Sequence, residues 1–437
     1  MDLYYYDMKY EKINNSLFIK NRAKFTAAME PKSVAIFNSN DIYPVSADST
    51  MPFNQHRDIF YLSGVDQEES ILVLFPDAFN EEHREMLFVR ETNEHIAIWE
   101  GEKLTKEAAF ETSGIKNVYW LDQFDSIMKI ITAQAENLYI NTNEHTRADT
   151  TVETREDRFI KTLKVKYPAH NVKKSAPILH RIRAVKETTE IELMQKACNI
   201  TEKGIRRILS FIEPGVMEYE IEAELMHEFL WNRSKGFAYT PIVASGKNAC
   251  VLHYIQNNNR CNDGDVILLD VGAEYANYAS DLSRSLPVNG RFTDRQKQVY
   301  NAVLRVKKAS EQLLVPGTFL GEYHKEVGKL MESELIGLGL LDKTDIKNQD
   351  PNWPAYKKYF MHGTSHFIGL DTHDVGLWTE PLKPGMVFTC EPGIYIQEEG
   401  LGIRLEDDLV VQASGKPFNL MGNIPIEADE IEGLMNA

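Results

Sequence analysis

The sequence predicts a protein of α+β (mixed α/β) class with an amino-terminal α/β domain over residues 1–175 and a second domain over residues 176–437. The 437 residues exceed the ~100–200 residues of one ordinary domain. Short β-rich runs fill the first part of the chain, whereas longer helical periods fill the second. A hydrophobic content of 43% beside 26% charged residues is typical of packed globular proteins and excludes disorder as the main state.

The first domain is predicted to begin with a helix over residues 15–30. Short apolar runs bounded by Asp, Asn, Gly or Pro then predict strands. These runs cover residues 33–36, 59–62, 71–75, 86–89 and 138–141. A basic segment, KTLKVKYPAHNVKKSAP, follows them and places the domain boundary near residues 170–180.

The second domain is predicted to contain four amphipathic helices. The first carries a capping-box signature at Thr189 and Glu192, and the third carries one at Thr293 and Gln296. The second and fourth cover residues 221–230 and 323–331. Their apolar stripes predict burial in the core rather than ligand binding.

This second domain also repeats itself. A helix, a Pro-Gly pair, a second helix and a strand hairpin occur twice in the same order. The stretch from Gly264 to Asp270 aligns with the stretch from Gly385 to Glu391, and another Gly follows each acid by two residues. A duplicated unit of this kind predicts packing about a pseudo-two-fold axis with the paired acids near it.

Each predicted hairpin can place two acids side by side. Opposed residues of a hairpin have a constant index sum, so Asp270 opposes Asp281 if the turn is centred on residues 275–276. By the same rule Glu391 opposes Glu406 around residues 398–399. Like charges with β-carbons ~4.5–5.5 Å apart repel, so two such pairs favour a cation between them over solvated strand ends.

Histidines are concentrated in one stretch of the second domain. His362, His366 and His373 lie within twelve residues, where Gly363 and Gly369 favour a strand or loop over a helix. The H-x-x-x-H spacing alone predicts a metal site weakly, and each histidine has a hydrogen-bonded structural role as its alternative. His253 lies in a separate apolar run, where a core position is the simpler interpretation.

Charge and composition exclude several classes of function. A net charge of −17 argues against nucleic acid or an anionic membrane as a partner. No apolar stretch is long enough for a transmembrane helix, and the amino-terminal residues 1–15 contain no apolar signal-peptide region. Four scattered cysteines favour a reducing cytoplasm.

Five stretches of the second domain together resemble the Xaa-Pro aminopeptidases (aminopeptidase P) of the creatinase/methionine aminopeptidase superfamily. They are VLHY at 251–254, LDVGAEY at 269–275 with ASDL at 279–282, MHGTSH at 361–366 through HDVG at 373–376, CEPGIY at 390–395 and GIRLEDD at 402–408. FNQHRDIFYLSG at 53–64 is similar to the amino-terminal domain of that family. The resemblance implies a creatinase-like α/β domain followed by a catalytic domain of pita-bread fold.

The resemblance also implies a site that binds two divalent metal ions. Its metal ligands would be Asp270, Asp281, His366, Glu391 and Glu406, with Asp281 and Glu406 bridging the ions. Four carboxylates and one imidazole favour Mn²⁺ over the metals of thiolate-rich sites.

Catalytic and substrate-binding roles follow from the same resemblance. Glu391 would take a proton from the attacking water and pass it to the leaving proline nitrogen. His253 or His373 would stabilise the tetrahedral oxyanion. The residues implied to bind substrate or support the ligands are His362, His373, Arg404 and Tyr395.

The expected function is hydrolysis of the bond between an N-terminal residue and a penultimate proline in peptides. Prolidase, which cleaves Xaa-Pro dipeptides, shares the ligand set and is the nearest alternative, whereas methionine aminopeptidase lacks a comparable amino-terminal domain. A metal-free binding or scaffold protein on the same fold is the alternative of another class, although such relatives generally lose ligands. Trp99 is similar to a position that can reach a neighbouring active site in this family, which implies a homo-oligomer, a dimer or a tetramer.

Overall fold

The computed structural model describes residues 10–437, which divide into two compact units. Lys12–Arg183 forms the first unit, and Ala184–Ala437 forms the second together with Tyr10 and Glu11. The predicted domain boundary between residues 175 and 176 stays a prediction. Residues 1–9, which belong to the segment predicted to lack a signal peptide, lie outside the described part. Among the described residues, no helix combines the length and apolar character needed to span a membrane.

The helices of the described residues are α1 (Ser16–Ala27), α2 (Arg57–Ser63), α3 (Glu94–Trp99), α4 (Lys106–Ser113), α5 (Phe124–Thr132), α6 (Arg155–Lys166), α7 (Ala176–Ala184), α8 (Thr188–Leu209), α9 (Glu218–Trp231), α10 (Asp294–Glu311), α11 (Leu320–Gly337), α12 (Lys343–Asn348) and α13 (Ala428–Met435). The strands are β1 (Ser33–Asn38), β2 (Pro44–Ser46), β3 (Ser49–Thr50), β4 (Ile71–Leu74), β5 (Glu85–Val89), β6 (Asn117–Trp120), β7 (Asn137–Ile140), β8 (Asn171–Lys174), β9 (Ile242–Ser245), β10 (Val266–Asp270), β11 (Glu274–Tyr275), β12 (Tyr278–Ala279), β13 (Ser283–Pro287), β14 (Val387–Cys390), β15 (Gly393–Ile396), β16 (Leu401–Arg404), β17 (Asp407–Val410) and β18 (Phe418–Asn419).

A mixed six-stranded sheet organises the first unit, in the order β6-β5-β4-β1-β7-β8. The pairs β1–β4 and β4–β5 are antiparallel, whereas β1–β7, β7–β8 and β5–β6 are parallel. Four of the predicted strand runs, at 33–36, 71–75, 86–89 and 138–141, are confirmed as β1, β4, β5 and β7.

The strand predicted over residues 59–62 is wrong, because these residues lie in helix α2. The His56 side chain caps this helix by accepting a hydrogen bond from Asp58 N, and Gly64 ends it with φ 71°. Residues 59–63 are all buried. A short and wholly apolar run has no usable period, so burial alone cannot separate helix from strand.

Two packed helix pairs, α8 with α9 and α10 with α11, frame the second unit. The predicted capping box of α10 is confirmed, since Thr293 N donates to Gln296 Oε1 (2.8 Å) and Thr293 Oγ1 accepts from Gln296 N (3.3 Å). The box predicted at Thr189 for α8 is wrong. That helix begins at Thr188 after Glu187, whose main-chain N–H donates to the Glu190 side chain (2.9 Å).

Each helix pair is followed by a three-stranded sheet and a short hairpin, as the sequence repeat predicts. The sheets are β9-β10-β13 and β14-β17-β18, and the hairpins are β11–β12 and β15–β16. The two repeats meet where Glu406 N donates to Ser283 O (3.1 Å). A buried apolar cluster beneath β9 and β10 includes Tyr254 and Tyr395, so site residues rest directly on the core.

The two hairpin registers differ in how well the sequence predicts them. In the second repeat Cys390 pairs with Asp407 and Gly393 with Arg404, which confirms that Glu391 opposes Glu406. In the first repeat Asp270 pairs with Ser283, so the predicted pairing of Asp270 with Asp281 is wrong by two residues. The turn lies at residues 276–277, both with positive φ (53° and 68°), as a tight two-residue hairpin loop requires.

Candidate metal centre

Three of the predicted ligands form a compact buried cluster. One ligand atom from each of Asp281, His366 and Glu406 lies within 4.8 Å of the others. Asp281 precedes β13 and Glu406 lies between β16 and β17, so each repeat contributes one acid to the cluster. His366 comes from an irregular loop that bridges to β14 through Phe367 and Phe388, which agrees with the prediction of a strand or loop rather than a helix.

Asp270 and Glu391 adjoin this cluster. The Tyr239 hydroxyl lies 2.6 Å from Oδ1 of Asp270 and 2.6 Å from Oδ1 of Asp281, so its single proton is shared between two carboxylates. His366 Nε2 lies 3.4 Å from Asp281 Oδ2 and 3.8 Å from Glu391 Oε1. The five predicted ligands therefore lie next to one another, and their binding of metal stays a prediction.

The ring of His366 is held so that one nitrogen faces the carboxylates. Its Nδ1 lies 3.0 Å from the carbonyl oxygen of Phe367, which can only accept, so Nδ1 carries the hydrogen. Nε2 is therefore the nitrogen that faces Asp281 and Glu391. With Nδ1 held in this way, Nε2 is the ring atom that could bind a metal once it has lost its proton.

Arg404 connects the carboxylates to the predicted substrate pocket. Its Nη2 donates to Asp270 Oδ2 (2.6 Å), and its Nη1 donates to the Tyr395 hydroxyl (2.8 Å). Tyr395 in turn donates to His362 Nε2 (2.8 Å), whose other nitrogen faces the Gly363 carbonyl (2.8 Å). One chain of hydrogen bonds therefore runs from a predicted ligand to a predicted substrate-binding histidine.

Burial of several like charges raises the pKa values of the carboxyl groups. Loss of water raises the pKa of Glu391 to about 7, although the charges of His366 and Arg404 oppose this shift. Burial, followed by repulsion from Asp281, raises the pKa of Glu406 well above its usual value. A divalent cation among these groups would offset the crowded negative charge and keep the carboxylates ionised.

The donor set fits a hard divalent ion. Four carboxylates and one imidazole supply oxygen and nitrogen donors, which suit Mn²⁺ and similar cations. The thiol next to the site, Cys390, instead accepts from the Tyr323 hydroxyl (3.6 Å) and donates to the Lys307 carbonyl (3.9 Å). The side chains present therefore match the metal chemistry that the resemblance implies.

The other predicted histidines surround the ligands. His373 is exposed, and its ring centroid lies 4.4 Å from that of His366 at an interplanar angle of 84°. Burial, together with the charges of Arg404 and His253, lowers the pKa of His362 to about 3, so this ring is neutral. His253 is exposed, so the core position considered for it is wrong.

Sequence reasoning missed two side chains that hold the ligands. Ser283 Oγ donates to Glu406 Oε2 (2.7 Å) and accepts from Arg404 Nε (2.9 Å). The correct register would have found Ser283, because it lies opposite Asp270 in the ladder. Tyr239 lies in a loop before β9 and carries no local signal of its role.

A buried ion pair anchors the histidine loop. Lys186 Nζ lies 2.9 Å from Asp374 Oδ2, and each side chain is only 1% exposed. Asp374 N donates to the carbonyl of Phe367 (2.8 Å), directly after His366. A β-carbon at Gly369 would lie 2.3 Å from Asp374 Oδ2, so the main chain there rests against the pair.

Two family models match successive parts of the chain. Residues 18–139 match the amino-terminal domain of aminopeptidase P, and residues 192–413 match metallopeptidase family M24. The chain belongs to metallopeptidase family M24. As predicted, an M24 pita-bread domain thus follows an amino-terminal α/β domain.

Similarity to individual aminopeptidases supports the assignment to family M24 and extends over nearly the whole chain. Xaa-Pro aminopeptidases of Haemophilus influenzae and Escherichia coli are each 34% identical to it, over 97% and 98% of this chain and 98% and 99% of theirs. A solved zinc-substituted E. coli aminopeptidase P with product is 32% identical at a TM-score of 0.86, covering 98% of this chain and 99% of that one. Aminopeptidase PepP of Pseudomonas aeruginosa is 30% identical at a TM-score of 0.86, covering 97% and 98%. The predicted resemblance and fold class are confirmed.

Proposed function

We propose that this M24 protein is a metal-dependent Xaa-Pro aminopeptidase, which removes the N-terminal residue from peptides with proline in the second position. The buried cluster of Asp281, His366 and Glu406, adjoined by Asp270 and Glu391, carries the proposal. Similarity to Xaa-Pro aminopeptidases over nearly the full chain supports it.

The five clustered side chains would hold two divalent ions, and the oxygen-rich donor set favours Mn²⁺. Asp270 would hold one ion, His366 and Glu391 the other, and Asp281 and Glu406 would contact both. When bound, the ions would polarise the scissile carbonyl and lower the pKa of the attacking water.

Glu391 would move the proton during cleavage. It adjoins the ligand cluster on one side, and its Oε2 lies 3.6 Å from His362 Nδ1 on the other. The carboxylate takes a proton from the attacking water and delivers it to the departing proline nitrogen. His373, whose ring packs on His366, and His253, whose charge acts on His362, are both exposed and offer imidazole donors for the carbonyl oxygen as negative charge develops on it.

A proline ring is selected by shape, since its nitrogen has no hydrogen to donate. His362 contributes a neutral ring that packs edge-to-face on Phe360 (4.8 Å, 84°) and lies 5.5 Å from Tyr395. Because Tyr395 and Arg404 hold this ring, its apolar face forms a fixed wall for the proline side of the pocket.

A peptide panel with and without added Mn²⁺ tests the proposal. We expect Arg-Pro-Pro to be cleaved after arginine in the presence of Mn²⁺, and Arg-Ala-Pro to be cleaved poorly. Cleavage of the dipeptide Arg-Pro alone would identify a prolidase instead. Failure to cleave any of the three, together with no stoichiometric metal, would favour a metal-free scaffold.

We further propose a homo-oligomer, a dimer or a tetramer, in the cytoplasm. Ile98 and Trp99 of α3 are 77% and 75% exposed, an unusual position for two large apolar side chains. All four cysteines are buried and free, which suits a reducing compartment. Light scattering of the purified protein tests the oligomer, and a mass of one chain would contradict it.

A further inference from the structure

Glu218, at the first position of α9, is fully buried and accepts hydrogen bonds on both carboxylate oxygens. Its partners come from one continuous segment, β9 and the loop that follows. Oε1 accepts from Ser245 N (2.8 Å), Ser245 Oγ (2.8 Å) and Asn248 Nδ2 (3.3 Å), and Oε2 accepts from Tyr254 OH (2.7 Å) and Asn259 N (2.9 Å). Five donors thus converge on a group that is acceptor-only when ionised.

These partners bracket the turn that carries His253. Val251 N donates to the carbonyl of Asn248 (2.9 Å), and Tyr254 N donates to the carbonyl of Val251 (3.2 Å). His253 is therefore the third residue of a four-residue turn. One oxygen of Glu218 accepts from Asn248, three residues before this turn begins, and the other accepts from Tyr254, its last residue.

A second group fixes the far end of the same loop. Asn257 has φ 46°, and its side chain donates to Glu222 Oε2 (2.8 Å) and to the carbonyl of Pro241 (3.0 Å). Its Oδ1 accepts from Val243 N (3.0 Å). Glu218 and Glu222 are one helical turn apart, so a single face of α9 supports the loop on both sides of His253.

We propose that Glu218 is a positioning residue for peptide cleavage: it holds the turn that presents His253 to the substrate. The inference rests on the proposed function, in which His253 stabilises the developing oxyanion. An exposed imidazole on an irregular loop needs such support, because a donor misplaced by about 1 Å can cost ~10²-fold in rate.

The hydrogen bond from Tyr254 is the part of this arrangement that can be removed alone. Burial, followed by the bond to Glu218, raises the pKa of Tyr254 to about 12, so the phenol remains a donor at neutral pH. Tyr254→Phe keeps the ring in the core and removes this donor, along with its longer contact to Asn258 Oδ1 (3.4 Å). Glu218→Gln keeps the shape of the side chain but turns an NH₂ group towards neighbours that are themselves donors.

A double-mutant cycle on Arg-Pro-Pro hydrolysis, with Mn²⁺ saturating, tests the inference. His253→Ala is expected to lower kcat/KM by about 10²-fold. Glu218→Gln should lower it by about 10-fold or more when His253 is present, and by less than about 2-fold when His253 is alanine, because the two losses share one cause. Tyr254→Phe should lower kcat/KM by about 3-fold, again only when His253 is present. This variant provides the test of the positioning role if Glu218→Gln does not fold.

The matched control is Glu224→Gln, which removes a carboxylate from the same helix where it pairs with Arg207. Its kcat/KM should equal that of the wild type. Equal losses from Glu218→Gln with and without His253, or a His253→Ala protein that keeps the kcat/KM of the wild type, would overturn the positioning role. If the wild type itself leaves Arg-Pro-Pro intact, the proposed function fails instead, so the two failures are distinguishable.

Discussion

Replacing Lys186 by methionine is predicted to lower the free energy of unfolding of the second unit by about 3–5 kcal/mol, the usual cost of breaking a buried ion pair. The ammonium lies 2.9 Å from Asp374 Oδ2, and both side chains are 1% exposed. Methionine preserves the length and the apolar stem of lysine. The loss therefore comes from leaving a carboxylate buried without its counter-ion, and it should exceed the ~1 kcal/mol of an exposed pair.

Urea unfolding followed by circular dichroism measures this loss. Lys329→Met is the matched control, since Lys329 pairs with Glu326 on the surface and is 68% exposed. We expect that control to change stability by less than about 1 kcal/mol. Lys186→Met with Asp374→Asn should recover at least half of the loss, because the remaining group is uncharged. A Lys186→Met protein as stable as the control would refute the reasoning.

Three further predictions concern the ligands, their support and the first unit. Asp281→Asn should lower bound Mn²⁺ and turnover by more than about 100-fold while circular dichroism stays native, whereas Asp429→Asn, at an exposed acid, should leave both unchanged. Tyr239→Phe removes the proton shared by Asp270 and Asp281 and should weaken Mn²⁺ binding by about 10–100-fold in calorimetry; unchanged affinity would contradict the shared contact. Burial raises the pKa of Glu156 from 4.5 to about 8, so folding favours the protonated form of this side chain. The stability that its protonation contributes to the folded protein is present below about pH 4.5 and is lost as pH rises to about 8. Glu156→Gln should flatten the pH dependence of melting in that window, and an unaltered slope would count against it.

The register of the second hairpin could be predicted from the sequence. Its register is fixed by Pro392 after Glu391 and by a turn that ends at Gly400, a residue that readily adopts the observed φ of 59°. A constant index sum then placed Glu391 opposite Glu406 correctly. Residues close in sequence, with unambiguous turn chemistry, are thus sufficient to predict this half of the site.

The register of the first hairpin and the residues that support the site from distant segments could not be predicted from the sequence. Its turn places Ala276 in the left-handed region, which alanine rarely adopts, so local propensity gives no warning of the register. Tyr239 and Lys186 reach the site from distant segments, and only tertiary packing brings them to Asp270 and Asp374. Side chains that support a site from far along the chain leave no pattern at helical or strand spacing.

Titrating metal-free protein with Mn²⁺ while following both bound metal and Arg-Pro-Pro hydrolysis tests the central claim most directly. The arrangement of Asp270, Asp281, His366, Glu391 and Glu406 predicts that hydrolysis is absent without metal and reaches its maximum at two ions per chain. Hydrolysis that persists without a divalent ion, or bound Mn²⁺ that brings no hydrolysis, would contradict it.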